Sequence, residues 1–71
     1  MTFGELLKTK REEAGLNVKT AAKEAGLAFG YWYELERNEA SPSIKTLGQI
    51  ASALDCKAAD LLPDTDLVNT P

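Results

Sequence analysis

Residues 16–36 constrain the fold more than any other part of this chain. The stretch LNVKTAAKEAGLAFGYWYELE combines a capping residue, a glycine and two short apolar patterns. Asn17 is a favourable N-cap for a first short helix, and Gly26 supplies the left-handed backbone of a tight turn. A second short helix then places Trp32 and Leu35 on its inner side. The segment is therefore predicted to form two short helices that cross over a turn of a few residues.

Three further helices complete an all-α prediction. The Thr2-x-x-Glu5 pattern is a capping box, so helix one is expected to begin near Phe3. Ser41-Pro42 predicts the start of helix four, with Ser41 as the cap and Pro42 at the first helical position. The other predicted limits are Gly15 after helix one, Phe29 to about Arg37 for helix three with Asn38 as its terminator, and Lys57 to Leu62 for helix five.

Apolar residues at helical spacing predict a single core for the whole chain. With 71 residues, the chain is near the lower limit for a self-sufficient core. We predict a compact five-helix domain over residues 1–62 and a polar, disordered tail over residues 63–71. The predicted inward positions are Phe3, Leu6, Leu7 and Ala14 in helix one, and Ile44, Leu47, Ile50, Ala51 and Leu54 in helix four.

The charge is distributed unevenly along the chain. Residues 1–50 hold seven basic and seven acidic residues, whereas residues 51–71 hold one basic and four acidic residues, which gives the net charge of −3. A neutral body with an acidic C-terminal part permits nucleic-acid binding without indicating it. The sequence has neither a secretory signal nor an apolar run near the ~20 residues of a membrane span. We therefore expect a cytoplasmic protein with no membrane partner.

The residue types argue against an enzyme. The chain has no histidine and one cysteine, Cys56, so it offers neither a disulfide framework nor a plausible nucleophile–base pair. Glu12 and Glu13 are neighbours on a helix and point in different directions, unlike an acid/base dyad. The four aspartates do not follow the spacing of a calcium loop. No catalytic residue, metal site or cofactor is predicted.

Read from Phe3 to Leu62, the chain resembles the phage-repressor-like helix-turn-helix family, the Cro and lambda-repressor type that is also called Xre-like. The resemblance implies a helix-turn-helix at helices two and three, and a bacterial or phage transcription regulator that binds a palindromic operator in double-stranded DNA as a homodimer. It also implies dimer contacts around helix five, at Leu61, Leu62, Leu67 or Val68. The residues that carry it are Leu7, Arg11, Gly15-Leu16-Asn17, Ala22, Gly26, Trp32, Leu35-Glu36, Pro42, Leu47, Ala51, Leu54 and Leu61-Leu62.

The same resemblance implies that Arg11 and Glu36 form a structural ion pair between helix one and helix three. A partly buried guanidinium and a carboxylate can meet in a bidentate fork. The alternative is that the two residues are separate surface charges.

Several positions depart from the family pattern where DNA contacts are expected. Val18 stands where members commonly have Gln, and Ala28 replaces a Ser or Thr cap of helix three. Phe29 and Gly30 follow where polar residues are usual, and Glu34 brings a negative charge to a base-contacting position. These departures make the chemistry of helix three unusual for a DNA-binding helix.

Two interpretations of helix three therefore stay open. In the first, the helix enters the major groove, where aromatic rings contact thymine methyl groups and Glu34 accepts from a cytosine amino group. In the second, the exposed aromatic residues Phe29, Tyr31 and Tyr33 bind a protein partner. In the major-groove interpretation, the base-facing residues are Phe29, Gly30, Tyr33 and Glu34, and the phosphate-facing residues are Asn17, Lys19, Tyr31, Arg37, Asn38 and Lys45.

Overall fold

A computed structural model describes residues 1–63 of the chain. Within this range the protein is entirely helical, as predicted, and no helix in it is long and apolar enough to cross a membrane. The last segment is a short 3-10 helix rather than an α-helix. The elements are α1 (Phe3–Glu13), α2 (Val18–Ala25), α3 (Phe29–Glu36), α4 (Ile44–Ala53) and the 3-10 helix (Ala58–Leu61).

Side-chain caps fix the starts of the first two helices where the sequence predicts them. The Thr2 hydroxyl accepts from the Glu5 amide at 3.2 Å, and the Glu5 carboxylate accepts from the Thr2 amide at 2.9 Å. Asn17 accepts from the Thr20 amide at 2.8 Å and so caps α2. The turn after α2 is left-handed at Gly26, with a φ of 74°. The capping box, the Asn17 cap and the glycine turn are all confirmed.

The predicted start of α4 is wrong by two residues. The N-cap is Ser43, whose hydroxyl accepts from the Thr46 amide at 3.1 Å, and the helix begins at Ile44. Ser41 does not have this role, because the helix begins only at Ile44 and Pro42 lies outside it. The Ser43-x-x-Thr46 pattern was the better signal, since both hydroxyls hydrogen-bond at 3.0 Å.

The core lies where the four α-helices meet, and Trp32 is its largest fully buried side chain. Two of the predicted inward positions are wrong. Ala14 is exposed because it follows the last residue of α1, and Ile44 is 90% exposed because no other element within residues 1–63 covers its side chain. The buried apolar residues are Leu7, Val18, Ala21, Ala22, Ala25, Trp32, Leu35, Ile50, Ala51, Leu54 and Leu61.

The start of α1 is docked against the end of α3 through Gly4 and Asn38. The Gly4 amide donates to the Asn38 side-chain oxygen at 2.9 Å, and the Asn38 amide nitrogen donates to the Thr2 hydroxyl at 3.0 Å. Asn38 is left-handed, with a φ of 61°, which an asparagine tolerates better than most residues. A Cβ atom on Gly4 would overlap the backbone carbonyl of Glu36. The close approach of these two helices therefore needs a glycine at position 4.

We expect Gly4→Ala to lower the free energy of unfolding by roughly 1–3 kcal/mol, because the backbone of α3 has to move to accept the methyl group. Gly48→Ala is the matched control, since a Cβ there meets nothing within 4 Å. That control is expected to raise stability by roughly 0.5–1 kcal/mol, the usual gain for alanine inside a helix. Denaturant unfolding of both variants measures the difference. Equal stabilisation by the two substitutions would contradict the close approach.

Candidate nucleic-acid interface

The turn between α2 and α3 is closed by backbone hydrogen bonds and one glycine. The Leu27 amide donates to the Ala22 carbonyl at 2.9 Å, and the Gly26 amide donates to the Lys23 carbonyl at 3.1 Å. These bonds satisfy carbonyl groups that the end of α2 leaves free. Leu27 packs against the core directly before α3. The direction in which α3 leaves the turn is therefore fixed by the backbone and by this apolar contact.

One partly buried polar cluster holds α3 against α1. The Glu36 carboxylate accepts from Arg11 Nε at 2.6 Å and from Arg11 Nη2 at 3.3 Å, so the pair is bidentate. The same carboxylate accepts from Trp32 Nε1 at 2.6 Å. The side chains of Arg11 and Glu36 are only 11% and 7% exposed. The two residues implied to pair by the family resemblance thus meet, and a buried tryptophan joins them.

Arg11 also reaches the segment between α1 and α2. Its Nη1 atom donates to the Leu16 carbonyl at 2.9 Å, next to the Asn17 cap of α2. The hydrogen bonds to Glu36 raise the pKa of Arg11 further above its ordinary value, so the guanidinium stays charged. Within residues 1–63, no buried side-chain nitrogen or oxygen lacks a hydrogen-bond partner. The Arg11–Glu36–Trp32 cluster consequently fixes both ends of the helix-turn-helix relative to α1.

The outer side of α3 presents two aromatic rings and one free carboxylate. Phe29 is 49% exposed and Tyr33 is 38% exposed, and their rings form an edge-to-face pair with centroids 4.8 Å apart. Gly30 is exposed beside them, with open space where a side chain would be. Glu34 is exposed and belongs to none of the ion pairs found within residues 1–63. The four residues predicted to face bases therefore share one accessible surface.

The aromatic row continues past the end of α3. The guanidinium carbon of Arg37 lies 5.8 Å from the centroid of the Tyr33 ring, within the range of a cation–π contact. Arg37 Nη2 also lies 3.3 Å from the Glu39 carboxylate, in a pair whose side chains are both more than half exposed. Both partners of this surface pair remain accessible to a ligand.

The remaining residues predicted to face phosphates occupy different environments. Lys19 and Lys45 lie exposed in the first turns of α2 and α4, and Tyr31 packs partly against the core. Asn17 and Asn38 are exposed, but both serve the fold through their side-chain oxygens. An amide NH2 group carries two hydrogens, so each asparagine keeps a donor for a further partner.

Ala28, at the start of α3, caps no backbone amide with its side chain, as the sequence departure predicts. Val18, which replaces the usual Gln of α2, is buried in the core. Neither residue supplies the polar contact that a family member would have at that position. The side chains that could contact a ligand at this end of the motif are therefore those of α3.

Cys56 is not placed for chemistry. The side chain is half-buried against the core, and burial is the main cause that raises the pKa of its thiol above the ordinary value. A cysteine nucleophile needs the opposite shift, because the thiolate is the reactive form. Among residues 1–63, no group of three or more His, Cys, Asp or Glu residues is placed to hold a metal ion.

The helix-turn-helix family model matches residues 7–61. The chain belongs to this family. It is 34% identical over 65 residues to the HTH-type transcriptional regulator SinR of Bacillus licheniformis, a match that covers 90% of this chain and 59% of the relative. It is 31% identical over 68 residues to the immunity repressor protein of Bacillus phage phi105, which covers 96% of this chain and 47% of that protein. The chain thus spans about half the length of the curated relatives it matches.

The fold agrees with a DNA-bound member of the family. The crystal structure of the biofilm regulator SinR in complex with DNA superimposes on this chain with a TM-score of 0.83 and 33% identity. The match covers 87% of this chain and 100% of the SinR chain. The helix-turn-helix expected at helices two and three is therefore α2, the glycine turn and α3.

Sequence reasoning missed three contacts that shape this surface. Trp32 and Glu36 are four residues apart, as are Phe29 and Tyr33, so each pair lies on one side of α3. That spacing could have predicted the tryptophan–glutamate hydrogen bond and the aromatic pair. The Gly4–Asn38 contact joins residues 34 positions apart, and no local pattern indicates it.

We expect a double-mutant cycle on Arg11→Met and Glu36→Gln to show a coupling of roughly 1–3 kcal/mol in unfolding free energy, because each single change leaves a buried group without its partner. Gln keeps an oxygen that can accept from Trp32. The control cycle is Arg37→Met with Glu39→Gln, an exposed pair for which roughly 0–0.5 kcal/mol is expected. Similar coupling in the two cycles would show that burial does not strengthen the Arg11–Glu36 pair.

Proposed function

We propose that this protein is a DNA-binding transcriptional regulator that inserts α3 into the major groove of a (pseudo)palindromic operator. The observation that carries the proposal is the agreement with SinR bound to DNA, over the whole of that chain and at 33% identity. The relatives named above are a transcriptional regulator and a repressor, from a bacterium and a bacteriophage. We propose the same class of activity in the cytoplasm, with residues 1–62 as the DNA-binding domain and residues 63–71 as its tail.

The base-facing residues in this proposal are Phe29, Gly30, Tyr33 and Glu34. A major groove offers an apolar methyl group on thymine and an amino donor on cytosine or adenine. The carboxylate of Glu34 can only accept hydrogen bonds, so it suits one of those amino groups. The glycine lets the helix backbone come close to the base edges. The exposed position of all four residues supports this assignment.

The phosphate-facing residues provide position rather than sequence selectivity. Lys19, Arg37 and Lys45 would contribute positive charge, and the backbone amides at the starts of α2 and α4 would face phosphates on either side of the groove. Asn17, Asn38 and Tyr31 complete the proposed set. Few phosphates are neutralised by so small a number of cations, so the affinity is expected to be modest and its fall with salt correspondingly shallow.

Homodimerisation is part of the proposal because a palindromic site matches a two-fold protein. The contact surface expected near the 3-10 helix needs one correction, since Leu61 is fully buried in the core and cannot reach a second copy. Leu62 is 37% exposed and stays available for such a contact. Leu67 and Val68 lie outside the described residues. The apolar contact proposed here therefore centres on Leu62.

Selection from a random pool of duplex DNA tests the proposal. We expect a palindromic site to be enriched, with affinity falling between about 50 and 200 mM salt as counterions are released. Sedimentation at high protein concentration is expected to show a dimer. A lack of enrichment at the lower salt would refute DNA binding and favour the alternative, a protein-binding surface on α3. A single half-site with a monomer in sedimentation would refute only the homodimer.

We expect Glu34→Gln to tighten binding to non-specific duplex DNA by about fivefold at low salt, because it removes a carboxylate close to the phosphates, where a charge pair is worth ~1 kcal/mol. The gain is expected to shrink at higher salt, where such charges are screened. Glu12→Gln is the control, since it makes the same charge change at an exposed site on α1. Equal effects of the two changes would show that only net charge matters.

A further inference from the structure

The geometry of the Phe29–Tyr33 pair on α3, and not only its exposure, indicates which chemical group it binds. We propose that Phe29 and Tyr33 together recognise the 5-methyl group of thymine, and that Arg37 is the positioning residue that holds Tyr33 for this contact. This inference rests on the proposed DNA-binding function and specifies which group of the DNA the surface selects.

The two rings form a preformed unit at the surface. They lie one helical turn apart, at 4.8 Å between centroids and an interplanar angle of 88°, so the edge of one ring meets the face of the other. Such pairs are favoured over isolated rings. About half of Phe29 and more than a third of Tyr33 still face solvent. An apolar surface of fixed shape is thus presented before any ligand binds.

The chemistry of the major groove leaves one target for such a surface. Phe29 has neither a donor nor an acceptor, so it cannot distinguish bases through hydrogen bonds. Thymine is the one base whose major-groove edge carries an apolar group, its 5-methyl. A Cβ atom at Gly30 would meet only open space, so residue 30 itself keeps no base edge away from Phe29. The apolar surface of the pair is therefore suited to thymine.

Arg37 completes the row on its C-terminal side. Its guanidinium lies over the Tyr33 ring at 5.8 Å from the centroid, and Glu39 accepts from its Nε atom at 3.3 Å. The guanidinium thereby covers one part of the ring and also meets a carboxylate at the surface. Arg37 was predicted to face a phosphate from the sequence alone. The contact with Tyr33 gives it a second role, which acts through the aromatic pair rather than through the DNA backbone.

Replacement of thymine by uracil in the selected operator tests the recognition directly, because it removes the 5-methyl group and nothing else. Each thymine of the half-site is replaced in turn, and the affinity of the 71-residue chain is measured. At one or more positions we expect binding to weaken about fourfold, the value of one buried methyl group at about 0.8 kcal/mol.

Phe29→Ala is expected to bind the thymine and uracil operators equally well, since the ring that covers the methyl group is gone. The control is Ile44→Ala, which removes an exposed apolar side chain outside α3 and is expected to keep the fourfold ratio. The readout is a ratio of two affinities for one protein variant. A general loss of stability or of phosphate contacts therefore leaves it unchanged.

Two substitutions at Arg37 separate positioning from phosphate contact. Arg37→Met removes the cation over Tyr33, and we expect the thymine-to-uracil ratio to fall from about fourfold towards one. Arg37→Lys restores a cation and is expected to recover most of the ratio. If Arg37→Met weakens both operators equally and leaves the ratio intact, Arg37 contacts phosphate only and the positioning role is refuted.

Different results refute methyl recognition and DNA binding. Enrichment of an operator that tolerates uracil at every position, or of half-sites without thymine, refutes methyl recognition and leaves DNA binding in place. A lack of any enriched DNA refutes both, and the aromatic surface would then be tested against protein partners. A uracil effect that Phe29→Ala does not remove assigns methyl recognition to other residues and refutes the role of the pair.

Discussion

The rest of the structure depends on the hydrogen bonds that the Glu36 carboxylate accepts. It accepts hydrogen bonds from Arg11 on α1 and from Trp32 one turn earlier on α3, while Arg11 also binds the Leu16 carbonyl before α2. A largely buried charge is tolerated only when its hydrogen-bonding capacity is satisfied, so the side chains of Arg11, Trp32 and Glu36 have to be in place together. In a chain with so small a core, this cluster links three helices that apolar packing alone would orient less specifically.

Because the residues on the inner side of α3 hold the helix in place, the residues on its outer side have no role in packing. Trp32 and Leu35 provide the packing, and no exposed residue of α3 is needed for the core. This division explains how a helix-turn-helix can carry aromatic rings and a carboxylate where polar side chains are usual, without loss of the fold. Function on this fold depends on the surface residues, and in this chain the outer side of α3 presents two aromatic rings and a carboxylate.

Much of the fold follows from local patterns in the sequence. The capping box at Thr2, the cap at Asn17 and the left-handed Gly26 are local devices, and each is found as predicted. The misplaced start of α4 has a local cause as well, since Ser41 and Ser43 are both suitable caps and Ser43 is the one that caps the helix. The exposed Ile44 could not be predicted in this way, because helical spacing shows which side a residue is on and not whether another element covers it.

The sequence by itself determined the helices, the turn between α2 and α3, and the burial of Trp32 and Leu35, because these depend on spacing and on the preferences of single residues. Only the tertiary structure decided that Gly4 lies against the end of α3 and that Leu61 is buried. These features depend on how side chains from separate elements settle against each other, and periodicity carries no information about that.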